Sequence, residues 1–311
     1  MTSAIDSVLL IGFGGPTRPD EIRPYLQNVV RGRNVPVERL EAAARHYEAI
    51  GGRSPYNEWT FRQADALRAH LEADGLLLSV FVGMRNWHPT LAEAIAAMNR
   101  EGCRRTVGII LAPHRSQTSW ARYQLDVQRA CDVNGGGPEI LYLSPWHTDP
   151  LFLEAVASRV EEATGYQRGH WPTSVPLCFT AHSIPVSMAE TSPYVQEIAQ
   201  SAAGIATLLG APHWLVAYQS RSGDACIPWL EPDVADALRA AAAEGVTEVV
   251  VVPVGFLCDH VEVLYDLDIE ARETAAEVGV RFRRAGTVGD HPAFIQMLAR
   301  RVRQMTEADH Q

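Results

Sequence analysis

The sequence has no cysteine pair at metal-ribbon spacing, no long apolar run and no excess of basic charge. Its five cysteines, Cys103, Cys131, Cys178, Cys226 and Cys258, are odd in number and none forms a Cys-x-x-Cys. That fits reduced thiols in a cytosolic protein better than a disulfide framework or a zinc ribbon. Cys178 lies in an apolar run and reads as plain core. No stretch approaches the roughly 18 consecutive apolar residues of a membrane span. The N-terminal MTSAIDSVLLIGF carries no basic region, so no signal peptide is expected. A formal net charge of −10 and a pI near 5.6 disfavour nucleic acid as a partner, because that affinity rests on basic patches. An anionic small ligand stays open, since a local group of arginines can hold one. No low-complexity segment is present.

What is there is enough chain for two domains of ordinary size, 311 residues with 47% hydrophobic and 21% charged. Short apolar runs alternate with amphipathic stretches throughout, the pattern of βα units and parallel sheets. Strands are expected near Val8–Ile11, Leu78–Val82, Val107–Leu111 and Ile140–Leu143, and again near Leu177–Thr180, Trp214–Ala217, Val249–Val254 and Arg281–Arg283. Helices are expected at Arg18–Val29, Val37–Ala49, Trp59–Ala73, Thr90–Asn99 and Tyr123–Asp132 in the first half. In the second they are expected at Val195–Leu209, Asp233–Glu244, Val261–Glu277 and Pro292–Met305. The Gly, Pro and polar residues of Gly165–Thr173 suggest a boundary there. This predicts domains 1–164 and 165–311, with the final helix packing back on the first. Both halves place conspicuous residues just after strand ends, where open α/β sheets bind ligands. Two such sheets facing each other would leave a cleft lined by Gly12–Pro16, Pro113–Ser116, His182–Pro185 and Gly255–Glu262.

The stretch PVGFLCDHVEVLYDLDIE, Pro253–Glu270, ends a strand and opens an acidic segment. Glu262, Asp266 and Glu270 are four apart, so on a helix they share one face, where like charges repel. Val263, Leu264, Tyr265, Leu267 and Ile269 stand between them, with no Lys or Arg. Two readings are open, a track for a cation or for protons and a solvated acidic face. His182, in FTAHSIP, follows a strand of the same half. One imidazole and one carboxylate, His182 and Glu262, can bind a transition metal or take protons near neutral pH. Alone, a histidine in the place of His182 is more often a structural residue, and Glu262 beside it changes that balance. His114 and His260 are further ligand candidates, and His260, at a helix start, is at least as well placed for a supporting role. GFGGPT, Gly12–Thr17, departs from a dinucleotide fingerprint at Thr17 and Pro16. A tight turn bringing backbone near a ligand is the better reading. Arg31, Arg33 and Arg45, with His46 and GGRSP at Gly51–Pro55, suit carboxylates or phosphates or else form a solvated surface.

Taken together, LLIGFGGP, YEAIGGRSP, VGMRNWHP, FTAHSIP, AYQSRSG with PWLEPD, and PVGFLCDHVEVLYDLDIE resemble the ferrochelatase family, which inserts ferrous iron into porphyrins. The resemblance covers nearly the whole chain. It implies two Rossmann-like, chelatase-type α/β domains, each a four-stranded parallel sheet flanked by helices, around a porphyrin cleft. By motif, it makes His182 and Glu262 the catalytic pair, and His182, Glu262, Asp266 and Glu270 the metal-handling residues. Arg31, Ser54 and Tyr123 fall where relatives hold propionates, and Phe13 falls at the macrocycle.

Within the family, RGR, YEAIGG.SP and LAPH.S..S...Y are most similar to the coproporphyrin branch. The span Asn28–Tyr47 is short, lacks the apolar lip of animal protoporphyrin enzymes, and holds Arg31, Arg33, Arg39 and Arg45. Coproporphyrin carries four propionates against two on protoporphyrin, which fits those added cations. There are departures. Phe13 stands where coproporphyrin enzymes usually have Tyr and many others Met, and a phenyl ring cannot ligate iron. Val30 and His46 replace arginines of close relatives. No cysteine follows Cys258, so no iron–sulfur cluster is expected. The resemblance thus implies a cytoplasmic monomer acting on a porphyrin, coproporphyrin III first, and on ferrous iron as substrate, with no permanently bound cofactor, nucleic acid or transmembrane segment. The alternatives are a protoporphyrin IX ferrochelatase, a cobalt chelatase acting on sirohydrochlorin, and a non-catalytic tetrapyrrole carrier.

Overall fold

Parallel strands are covered on both faces, so their sequences are continuous apolar runs rather than alternating ones. SVLLIG and EVVVV are the clearest cases here, and every residue in both is buried. The structure, a computed structural model, describes residues 4–222 and 226–309. The start of the N-terminal stretch and Gly223, which ends the AYQSRSG motif, lie outside the described residues.

Among the described residues, eight strands form two all-parallel sheets. The first holds β1 (Ser7–Gly12), β2 (Ser79–Met84), β3 (Arg105–Ile110) and β4 (Glu139–Tyr142) in the order β2-β1-β3-β4. The second holds β5 (Leu177–His182), β6 (Trp214–Gln219), β7 (Glu248–Val252) and β8 (Arg281–Arg284) in the order β6-β5-β7-β8. The strand order is the same in both. In each, the chain leaves the first strand to one side and returns on the other, so the crevice at the switch lies beside the first and third strands of the set.

The chain folds into two compact units. One runs to Ala112, then takes Thr118–Ser144 and everything from Asp290; the other takes Pro113–Gln117 and Pro145–Gly289. The core of the first unit gathers Leu9, Ile11, Ile95, Met98 and Val127. That of the second gathers Cys178, Val249, Val251, Val263 and Leu267. Cys178 is core, as its apolar run suggests. The final helix, Pro292–Asp309, packs on the helix Tyr56–Ala73 within the first unit.

Two sequence expectations need correction. The division falls at Ser144/Pro145, not at 164/165, because a helix missing from the sequence reading, Pro150–Thr164, packs on the helix Tyr194–Leu209 and on β8. Its signals are in the sequence: Asp149 caps it by accepting from Leu151 N–H, Pro150 opens it, and Gly165 ends it in the left-handed conformation. The expected continuous helix Val261–Glu277 is instead three pieces, Val261–Leu264, a π-helical turn Asp266–Ala271, and Arg272–Glu277. Among the described residues no helix is long and apolar enough to cross a membrane.

Candidate active site

The site is built where β5 and β7 end side by side, at the switch of the second sheet. β5 finishes on His182. After β7 the chain turns through Pro253–His260, and Gly255 brings that turn against β5. A Cβ on Gly255 would lie 2.6 Å from Ala181 Cβ and 2.7 Å from Ala181 Cα, so no larger residue fits. The Gly255 N–H donates to the Thr180 carbonyl at 3.0 Å. The turn is thereby docked on the two residues preceding His182. His260 then caps the helix Val261–Leu264, its Nδ1 accepting from Glu262 N–H at 3.2 Å. Its ring packs edge-on against Phe256 at 4.9 Å. His260 therefore supports Glu262 and is spent as a ligand through that nitrogen.

This arrangement brings Glu262 Oε2 to 3.0 Å from His182 Nδ1. Both side chains remain about a third exposed, at 32% and 33%. Burial pulls the His182 imidazole down, but the Glu262 charge and hydrogen bond, with Asp266 behind, hold it above the ordinary histidine value. Burial pushes Glu262 up, but His182 and then His260 outweigh it and hold the carboxyl well below the usual range. An Nδ1 proton donated to the carboxylate leaves Nε2 as the free base of the ring, strengthened by its partner.

Asp266 lies one turn on. Burial raises its carboxyl to about 7, the Ser220 hydrogen bond opposes the rise, and Glu262 and Glu270 reinforce it. Glu270, exposed at the end of the row, is raised by burial and by Asp233 and Glu273. The three carboxylates thus form a coupled series, although the wide turn, in which Glu270 N–H reaches the Tyr265 carbonyl at 3.0 Å, breaks the regular spacing. Such π turns are frequent at functional sites.

The sequence reading missed three residues here. Tyr194 donates its hydroxyl to the His182 carbonyl at 2.9 Å. Gln219, in register with His182 across β5 and β6, donates its amide to the Glu262 carbonyl. Ser220 donates to Asp266 and sits at φ +62°, the one non-glycine residue at positive φ among the described residues. Serine rarely adopts that conformation, and such outliers gather at functional sites. The AYQSRSG phrase was the only signal for Gln219 and Ser220.

His114 is not at this pair. Its Nε2 faces Ser201 Oγ at 3.0 Å, and full burial, with His147 nearby, drives its pKa to about 3. In the first unit, Phe13 follows β1, and its backbone N–H donates to the Tyr56 hydroxyl at 2.8 Å. The Arg85 guanidinium lies 5.9 Å from the Phe13 ring and 5.7 Å from that of Tyr123, so these two expected residues share one cation. Asp126 holds that cation at 2.8 Å. Ser54 is buried beneath the Gly12–Thr17 turn; its N–H donates to the Pro16 carbonyl at 2.7 Å, and a Cβ on Gly15 would meet its side chain at 2.8 Å. Gly12–Thr17 is thus the tight turn read from the sequence. Arg31 is exposed and bonds Asn28; Asn28 donates to the Asn86 carbonyl, and Asn86 to that of Phe13. Arg31 touches neither Ser54 nor Tyr123.

The family model for ferrochelatase covers residues 6–306. A coproporphyrin III ferrochelatase of Mycolicibacterium vanbaalenii is 38% identical over 95% of this chain and 88% of its own. A ferrochelatase of Rhodopirellula baltica is 37% identical over 94% and 84%. Among solved structures, the cobalt complex of the sirohydrochlorin chelatase SirB from Bacillus subtilis subspecies spizizenii superposes with a TM-score of 0.56, covering 97% of this chain and 95% of that one. At 13% identity that likeness is one of fold. With the family model spanning the sheets, the His182–Glu262 pair and the acidic row alike, the chain belongs to the ferrochelatase family.

Proposed function

We propose that this protein inserts ferrous iron into a porphyrin, and that the porphyrin is coproporphyrin III. The observation that carries the reading is the His182–Glu262 pair at 3.0 Å with Asp266 coupled behind it. Insertion removes two pyrrole protons from the macrocycle as the ion enters. His182 Nε2 takes the two pyrrole protons one after the other, passing on the first before the second arrives, with Glu262 stabilising the imidazolium through Nδ1 each time. Asp266, at about 7, is matched to receive each proton near neutral pH, and Glu270 to release it to solvent. Glu262 also offers the carboxylate that strips water from the ion. A carrier that only held the ring would need no such base.

The substrate assignment rests on cations. All 27 basic side chains of the chain are arginine, the residue suited to fixed, bidentate binding of carboxylates. Arg31, Arg33, Arg39 and Arg45 are exposed on residues 28–47, and we assign Arg31, with Ser54 and Tyr123, to the propionates. Phe13 meets the macrocycle face without ligating iron. The protein works as a cytoplasmic monomer in this reading. The test is anaerobic incubation with ferrous iron and either coproporphyrin III or protoporphyrin IX, followed by the visible bands. Faster metallation of coproporphyrin III is expected. A preference for protoporphyrin IX would overturn the substrate assignment, and no metallation of either would overturn the function.

A further inference from the structure

The segment Asp259–Asp268 is not a regular helix. Its first helical piece, Val261–Leu264, passes through Tyr265, itself in helical conformation, into the π turn. A π turn is a rare form. Val263 and Leu267, both fully buried, pin one side of the segment to the core. His260 and Gln219 hold the Glu262 backbone within it, and the rotation of the whole segment decides where the Glu262 carboxylate points.

Arg284, at the end of β8, reaches both ends of this segment. Its Nε donates to Asp268 Oδ1 at 2.7 Å and its Nη2 to Asp268 Oδ2 at 2.7 Å, a bidentate fork. On the other side Nη1 meets Asp259 Oδ1 at 3.2 Å and Nη2 meets Asp259 Oδ2 at 3.4 Å. Thr287 Oγ1 donates to Asp259 Oδ1 at 3.0 Å, and Arg284 Nη1 also reaches the Ala285 carbonyl at 3.3 Å. The side chain is 14% exposed, against 22% and 23% for the two aspartates, so the network is shielded from screening more than a surface pair would be. Asp259 immediately precedes His260, the cap of the Glu262 helix, and Asp268 lies two residues beyond Asp266. One guanidinium therefore ties the two ends of the stretch whose middle carries Glu262 and Asp266.

We propose that Arg284 is a positioning residue, which holds the Asp259–Asp268 segment at both ends and so sets the meeting of Glu262 with His182. It touches neither porphyrin nor iron. Lysine keeps the charge but cannot span two carboxylates with a fork, so Arg284→Lys separates geometry from charge.

The inference rests on the proposed iron insertion, and two readouts keep them apart. In the full chain, Arg284→Lys is expected to lower kcat for iron insertion tenfold or more, about 1.4 kcal/mol, with KM for porphyrin within twofold of wild type. Its crystal structure is expected to show His182 and Glu262 no longer hydrogen-bonded to each other. A kcat within threefold of wild type, or an unchanged kcat with a raised KM, overturns the proposal. Should Arg284→Lys show no cooperative melt, Asp268→Asn decides in its place: a threefold or larger fall in kcat supports the brace, and wild-type kcat overturns it. If wild type itself inserts no iron, the functional reading fails and the crystal structure alone decides. An intact His182–Glu262 hydrogen bond in Arg284→Lys then overturns the brace.

Discussion

Replacing Glu262 by Gln keeps the shape of the side chain and removes its charge. The hydrogen bond to His182 is charge-assisted, a class worth about 1.5–3 kcal/mol. With both partners about a third exposed, solvent screening takes the value to the low end, about 1.5 kcal/mol. At about 1.4 kcal/mol per pKa unit, the His182 midpoint should fall by roughly one unit, read by NMR titration of the ring. The same loss sets a floor of about tenfold on the fall in kcat if the carboxylate acts in the transition state. Stability gives an independent check with a definite sign. The raised His182 pKa means that the pair's contribution is whole below the ordinary histidine value and is lost as pH rises through the raised one. The depressed Glu262 pKa means that it is whole above the ordinary carboxylate value and is lost as pH falls through the lowered one. The gap in Tm between wild type and Glu262→Gln should therefore be widest between about pH 4.5 and 6.5, and should close in alkali. An unmoved His182 midpoint, with a Tm gap independent of pH, would refute the reasoning.

Three further outcomes follow from the same geometry. Arg31→Ala should raise KM for porphyrin more than it lowers kcat, because Arg31 is exposed and distant in sequence from the His182–Glu262 pair; the opposite pattern in steady-state kinetics would argue against a propionate contact. Asp266→Asn should slow turnover and yet melt higher than wild type at pH 8, since a carboxyl raised to about 7 loses stability as pH climbs through that value. The melting advantage should be level above about pH 7 and shrink from there to about pH 4, the ordinary carboxylate value, and a constant gap would contradict the assignment. Gly255→Ala should destabilise the fold by about 1–3 kcal/mol and cut turnover, because its Cβ would press on Ala181 beside His182; denaturant unfolding at wild-type midpoint would show that the turn has room.

Much of this fold was legible from apolar continuity. Each expected strand lies at or within a few residues of an observed one, and the strands buried along their whole length, such as β1 and β7, leave no ambiguity of side. The helix Pro150–Thr164 was missed because Asp149 and Pro150 at its start were passed over, and Gly165 at its end was taken as the opening of a boundary segment at 165–173. That error displaced the unit boundary by a whole helix. The site was legible in its ends but not in its supports. His182 ends a strand and Glu262 stands on the helix that follows the next strand's turn, both marked in the sequence, and the structure puts them 3.0 Å apart. The π turn was not foreseeable from a four-residue carboxylate spacing, which suits an α-helix equally well. Tyr194, Gln219 and Arg284 act on residues far from them in the chain, and a single sequence carries no periodicity for such pairings. His114 shows the converse: an imidazole after a strand, conspicuous in the sequence, turned inward to Ser201.

The most direct test is the rate of iron insertion into coproporphyrin III by wild type and by His182→Ala, with porphyrin binding followed by fluorescence in the same samples. The expected result is that wild type metallates the ring, while His182→Ala binds it with similar affinity and leaves it metal-free. Wild-type turnover in the histidine variant would show that the base of the reaction lies elsewhere.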